Sequence, residues 1–369
     1  MSHSHRYQSL DGLRGLAAFT VLISHLTPYG LMNHPESWAV LKWSPLRILW
    51  GGHQAVILFF ALSGFSLYVM MEKTPISSRG VAGYFAARIT RLYPTYIASL
   101  IAVGALLWLM KSGFHPGLAS IIDHVTMIGE FDSNAINPPI WSIVHEMRIS
   151  LIFPLVFLCA RGWPTGTLAI TSSLSVALAT LFWVELDTQN VLAAKALSYA
   201  TTAHYTTIFA FGAVMARYRR EILSLLETLS FRLEAHLLAL ILTAYMYPFD
   251  NPWNIGQRFA GDLAIMVGAM GLIAFALRRP GFFGARPVQY LGRISYSLYL
   301  VHFGCISAVL WAAGENGSPW MIWGVSIPLS IAAAHLMHVA VERPSQKLSR
   351  NVRLKVDAAH GRISGVPFR

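Results

Sequence analysis

Ten stretches of nearly continuous apolar residues run along the chain, separated by polar segments. They span approximately 10–28, 54–71, 93–110, 140–160, 168–184, 199–216, 235–249, 259–277, 294–313 and 320–341. A helix rising about 1.5 Å per residue needs roughly 20 such residues to cross about 30 Å of hydrocarbon. Each stretch comes near that length, with 235–249 the shortest. The pattern predicts an all-α, polytopic integral membrane protein of about ten transmembrane helices. A basic segment, Asn351–Arg369, follows the last span as a tail.

Composition agrees. Of the 369 residues, 55% are hydrophobic and 12% charged, with a mean hydropathy of +0.51. A soluble domain carries about 25% charged residues and would leave much of this apolar surface uncovered. The net charge of +11 would suit nucleic acid, but the distribution of cations speaks for a membrane. With the N-terminus in the cytoplasm, 22 of the 28 Lys and Arg residues fall on the inner side and five in outer loops, while Arg148 lies within a span. The opposite orientation would break the positive-inside rule at nearly every loop pair, so both termini are expected to be cytoplasmic. Trp38, Trp43, Trp50, Trp141, Trp183, Trp253 and Trp320 fall at the outer ends, as in an aromatic belt. Cys159 and Cys305 each sit within a span and make neither a disulfide framework nor a metal site. No small-residue cleavage site follows the first span, which is expected to remain in the protein.

Ionisable residues inside apolar spans are expensive and point to function. The first span, LDGLRGLAAFTVLISHL, holds two, Arg14 and His25. Eleven residues is three helical turns plus roughly 20°, so both face one way, about 16 Å apart along the axis. The bland alternative is an arginine snorkelling to headgroups and a histidine bonded to a neighbouring helix. Arg88 and Arg91, three apart in FAARITRLYP, share a helix face. Their planar donor forks suit phosphate, although anchoring to acidic lipid would also explain them. The outer segment Lys111–Pro139 is acidic through Asp123, Glu130 and Asp132, and GLASIIDHVTMIGEF within it reads as a short interfacial or re-entrant helix. The fourth span brings His145, Glu146 and Arg148 inside the outer boundary. Residues two apart do not face each other, so Glu146 is free to face a cavity or another span. Ser63-Gly64 reads as a close-packing contact, and His204, Tyr205 and Asp262 as packing or pore-lining residues. His302 lies near mid-membrane in LGRISYSLYLVH. Glu342 and Arg343 stand at the inner boundary, where an ion pair would cost little.

Several of these stretches together resemble the acyltransferase-3 family of bacterial membrane acyltransferases. LDGLRGLAAFTVLISH is similar to its signature of Arg or Lys, ten residues, then His. ILFFALSGF, RITRLYP, WSIVHE, RISYSLYLVH and the terminal ERP fall in the family's order, so the resemblance covers about residues 8–344. It departs at Glu146-Met147-Arg148, where the family often reads Glu-Glu or Glu-Gln-Phe-Tyr. It departs again at Gln54-Ala55-Val56-Ile57, where Gly-Val-Asp is common. The esterase-like domain fused to some members has no counterpart, so a stand-alone form is expected: 1–344 an acyltransferase-3-like transmembrane domain, 345–369 a basic cytoplasmic tail. The resemblance implies an enzyme of the bacterial cytoplasmic membrane. It would move an acyl group, commonly acetyl, from cytoplasmic acyl-CoA to a hydroxyl of an extracytoplasmic or lipid-linked saccharide, with no metal. Some relatives act instead on small molecules such as macrolides.

On that reading Arg14, Arg88 and Arg91 hold the donor's phosphates. His25 acts as general base, Glu146 orients its imidazole, and His302 is a second candidate acid or base. Direct transfer and an acyl-histidine intermediate both remain open. The rival class is a transporter or flippase for a lipid-linked saccharide. It also needs a polar lane through the spans, but it more often shows repeated halves and discontinuous helices, which are not evident here.

Overall fold

The described residues of each of the ten apolar stretches lie on a helix or its closing turn in the computed structural model. It describes residues 3–30, 32, 35–42, 44–74, 76–110, 116–127, 136–183, 191–246, 254–314 and 317–364. Glu130, Asp132, Trp43 and Trp253 lie outside the described residues. From the N-terminus come α1 (His3–Leu26), α2 (Pro35–Lys42), α3 (Gly52–Met71), α4 (Ser78–Leu109), α5 (Leu118–Thr126) and α6 (Trp141–Gly162). There follow α7 (Pro164–Leu181), α8 (Val191–Arg217), α9 (Arg219–Glu227), α10 (Phe231–Tyr245) and α11 (Ile255–Arg278). The one-turn α12 (Pro280–Phe283), α13 (Arg286–Ala313), α14 (Pro319–Met337) and α15 (Arg343–Ser364) complete the order. Every regular element among the described residues is helical, so the protein is an all-α polytopic membrane protein.

Among the described residues, seven helices are long and apolar enough to span a bilayer: α3, α4, α6, α7, α11, α13, and α14 continued into α15. The other three expected spans are also helical but more polar or shorter. Asp11, Arg14 and His25 interrupt α1, four threonines and His204 interrupt α8, and α10 has 15 residues. Local chemistry sets several helix starts. The side chains of Ser77, Ser230, Asn254 and Ser318 each accept an orphan backbone N–H, and Pro164 and Pro319 open their helices.

Close helix contacts depend on glycine. A Cβ on Gly15 would collide with the backbone of Leu291 and Gly292, and one on Gly292 would strike Asp11, so the backbones of α1 and α13 touch. Gly64 meets the backbone of Phe209, and Gly212 that of Ala61, locking α3 to α8. Gly64 therefore packs helices, as expected, while its neighbour Ser63 turns its hydroxyl to Glu146.

α5 is re-entrant. Its His124 carbonyl accepts the Tyr96 hydroxyl at 2.9 Å, and the Met127 carbonyl accepts Arg148 Nε at 2.8 Å. Both donors stand several turns inside their own helices. Met127, at φ 57°, ends α5 in the left-handed region. Side chains of the neighbouring helices thus take up carbonyls that the end of α5 leaves free. α14 runs into α15 through a π turn, His338–Glu342, and α15 then packs along α4, with Ser349 Oγ donating to the Ala87 carbonyl at 2.7 Å.

Candidate active site

The bundle has a basic end, which holds Arg14 of α1, and an opposite tryptophan end, which holds Trp38, Trp50 and Trp141. Each end opens a cavity. The basic-end cavity, about 770 Å³, is walled by α1, α3, α4, α6, α13 and α15. Seven arginines line it, Arg14, Arg88, Arg91, Arg293, Arg343, Arg350 and Arg353, against three acids, Asp11, Glu146 and Glu342.

Those arginines differ in how far they are already engaged. Arg14 donates to Asp11 Oδ1 at 2.8 Å, Ser66 Oγ at 2.5 Å and the Leu62 carbonyl at 3.2 Å. Arg88 is buried, donating to Glu146 Oε1 at 3.1 Å and Ser150 Oγ at 2.8 Å. Ser63 donates to that same carboxylate oxygen at 3.1 Å. Arg91, one turn further along α4, is exposed into the cavity. The π turn brings the Glu342 side chain inward, as one extra residue per turn allows. Its carboxylate accepts from Ser297 Oγ at 2.6 Å, His338 Nδ1 at 3.0 Å and Gln346 at 2.9 Å, not from the adjacent Arg343.

The tryptophan-end cavity is smaller, about 380 Å³, and is lined by Trp38, Trp50, Trp141, Arg47, His25 and His53 among others. Tyr299 borders both cavities. Its hydroxyl donates to the Pro139 carbonyl at 2.7 Å and lies 2.7 Å from Ser142 Oγ.

The contact of α1 with α13 brings His25 against His302, with ring centroids 5.0 Å apart. His25 Nδ1 lies 2.9 Å from the Val21 carbonyl, and His302 Nδ1 lies 3.1 Å from the Leu298 carbonyl. A carbonyl only accepts, so these partners assign the proton of each neutral ring to Nδ1. His302 Nε2, 3.3 Å from His25 Nδ1, is then a second acceptor for the same N–H. The basic atom left on His25 is Nε2, and no described group hydrogen-bonds to it.

The expected constellation is thus partly assembled. Arg14, Arg88, Arg91 and Glu146 meet on the basic-end cavity, while His25 and His302 meet at the tryptophan end. Glu146 does not stand beside the imidazole: its carboxylate meets Ser63 and Arg88, and the side chain next to His25 Nδ1 is His302. Glu146 is drawn to the nearest guanidinium, because an unpaired carboxylate inside the bundle would be costly. Arg148 and His145 are held by Ser198 and Thr202. Sequence reasoning missed Arg350 and Arg353 as cavity residues and gave His53 no role. The first two carried a signal, since 343, 346, 350 and 353 share one helix face.

The Acyltransferase domain family model matches residues 7–339. A helical membrane bundle with this match along most of its length belongs to that acyltransferase family. Relatives include the O-acetyltransferase OatA of Staphylococcus aureus strains NCTC 8325 and COL, each 24% identical over 94% of this chain and 58% of the relative. Another Staphylococcus aureus COL protein is 23% identical over 92% of this chain and 57% of its own length. The chain therefore spans under three-fifths of the length of these curated relatives. No solved structure matches it.

Proposed function

We propose that the protein is an O-acetyltransferase of the bacterial cytoplasmic membrane. It takes acetyl from acetyl-CoA at the basic, cytoplasmic end and places it on a saccharide hydroxyl at the tryptophan end. The observation that carries this reading is the pair of cavities at opposite ends, with unlike linings and Tyr299 on both walls. CoA is polyanionic and cannot enter hydrocarbon unaided. An arginine-lined cavity offers forked donors to its phosphates, and among the described residues no carboxylate pairs with Arg91, Arg293 or Arg350 there. Trp38, Trp50 and Trp141 offer flat apolar faces to a sugar ring.

The chemistry follows from the tautomer of His25. Its Nε2 takes the proton of the acceptor hydroxyl as that oxygen attacks the thioester carbonyl. The C–S bond breaks, the imidazolium returns the proton to the departing thiolate, and CoA leaves as the thiol. His302 Nε2 faces the His25 Nδ1–H and steadies the imidazolium, as an acceptor behind a histidine does in a hydrolase triad. Relatives named O-acetyltransferases support the reaction class. The test is incubation of purified protein with radiolabelled acetyl-CoA and a mixture of hexose methyl glycosides. Labelled glycoside is the expected product. Translocation of glycan with no covalent label would replace this reading with that of a flippase.

A further inference from the structure

A second polar system reaches the tryptophan-end cavity, and the proposed chemistry leaves it unused. Asp262 of α11 and His204 of α8 are both 0% exposed. Asp262 Oδ1 accepts from His53 Nε2 at 2.5 Å, and Oδ2 from His204 Nε2 at 3.2 Å. His204 Nδ1 lies 2.6 Å from Ser175 Oγ of α7, and its ring is stacked on Phe259 with centroids 4.1 Å apart. Three hydrogen bonds therefore join Ser175, His204, Asp262 and His53 across four helices. The chain is directional. Asp262 takes an Nε2–H from each ring, so His204 Nδ1 accepts the Ser175 hydroxyl proton and His204 is fully used. His53 stands at the cavity end, 23% exposed, its ring lying parallel to Trp141 at 6.2 Å.

A clasp between helices needs no ionisable group, and a carboxylate so deeply buried is costly unless bonded as this one is. What the carboxylate adds is a fixed ring. It holds the tautomer and plane of His53 against Trp141 at the mouth of the cavity that also contains His25. The two histidines belong to adjoining backbone: a Cβ on Gly52, the residue before His53, would collide with Ser24, the residue before His25.

We propose that His53 is an acceptor-binding residue of the transfer reaction, hydrogen-bonding a hydroxyl of the sugar stacked at Trp141, with Asp262 and His204 as its positioning residues. This rests on the function proposed above. It assigns the sugar two contacts of different kind: the hydroxyl to be acylated at His25, and a neighbouring hydroxyl at His53.

The experiment is steady-state transfer from radiolabelled acetyl-CoA to hexose methyl glycosides, with KM measured separately for each substrate. Binding of CoA itself reports the donor side. His53→Ala should raise the glycoside KM roughly tenfold or more, as loss of one hydrogen bond to an ionised network would. It should leave CoA binding unchanged, and His53→Gln should recover part of the glycoside affinity. Asp262→Asn should move the glycoside KM in the same direction. If that variant fails to fold, the two His53 variants decide alone. An unaltered glycoside KM in folded His53→Ala would overturn the proposal, as would equal losses on the donor and acceptor sides, which mark a purely structural clasp. Absence of any wild-type transfer would instead remove the function reading, and this proposal with it.

Discussion

His25 and Glu146 show what one residue's surroundings decide. The spacing of Arg14 and His25 was legible because it is intrahelical: eleven residues on an α-helix fix both the face and the depth. The partner of Glu146 was not, because it depends on how far α4 reaches. The apolar pattern begins at 93 and puts Arg88 on a helix face before the span, whereas α4 starts at Ser78 and carries Arg88 ten residues into one continuous helix. On this account His25→Ala lowers single-turnover acetyl transfer by roughly 10²–10⁴-fold, the range of a general base. His302→Leu, which removes only an acceptor behind the ring, costs about tenfold. Equal losses in the two variants would make His302 the base. Glu146→Gln leaves Arg88 without its counter-charge. Removing one member of a buried pair destabilises by roughly 3–5 kcal/mol, so thermal unfolding in detergent should fall sharply while residual transfer persists. Unchanged melting would mean that water, not Glu146, balances Arg88.

Among the elements, the seven helices long and apolar enough to span a bilayer were readable from hydropathy, and the course of α15 was not. Its sequence is basic and reads as a tail. Only after α14 has delivered it to α4 do Arg343, Gln346, Arg350 and Arg353 become a cavity wall. The α1–α13 contact has the opposite character. Gly12, Gly15 and Gly292 are visible in the sequence, but which helix each one meets is a tertiary fact. That contact holds His25 beside His302, so a side chain at Gly15 should act at a distance. Gly15→Leu is expected to destabilise by about 1–3 kcal/mol through overpacking. It should also depress transfer beyond what the loss of folded protein explains, measured per folded molecule by size-exclusion profile. Wild-type specific activity in the folded fraction would show that the two rings work without that alignment.

For the molecule as a whole, the division into a basic and a tryptophan end was foreseeable from the placement of Lys, Arg and Trp, whereas the cavities were not, because they arise between helices distant in sequence. The account makes the two ends halves of one reaction. Arg350→Ala and Arg353→Ala should each weaken CoA binding roughly tenfold, as loss of a charged hydrogen bond does. The effect should shrink as salt rises, more for the exposed Arg350 than for Arg353, which is half-buried and donates to the Met70 carbonyl. Calorimetric titration at low and high ionic strength reads both, and unaltered affinity would return α15 to a purely structural role. The central claim, transfer from one side to the other, is tested most directly in sealed proteoliposomes. Hexose methyl glycosides are trapped inside and radiolabelled acetyl-CoA, which is membrane-impermeant, is supplied only outside. Acetylated glycoside accumulating in the lumen is the result this account predicts. Acetylation only when glycoside and acetyl-CoA share a compartment would contradict it.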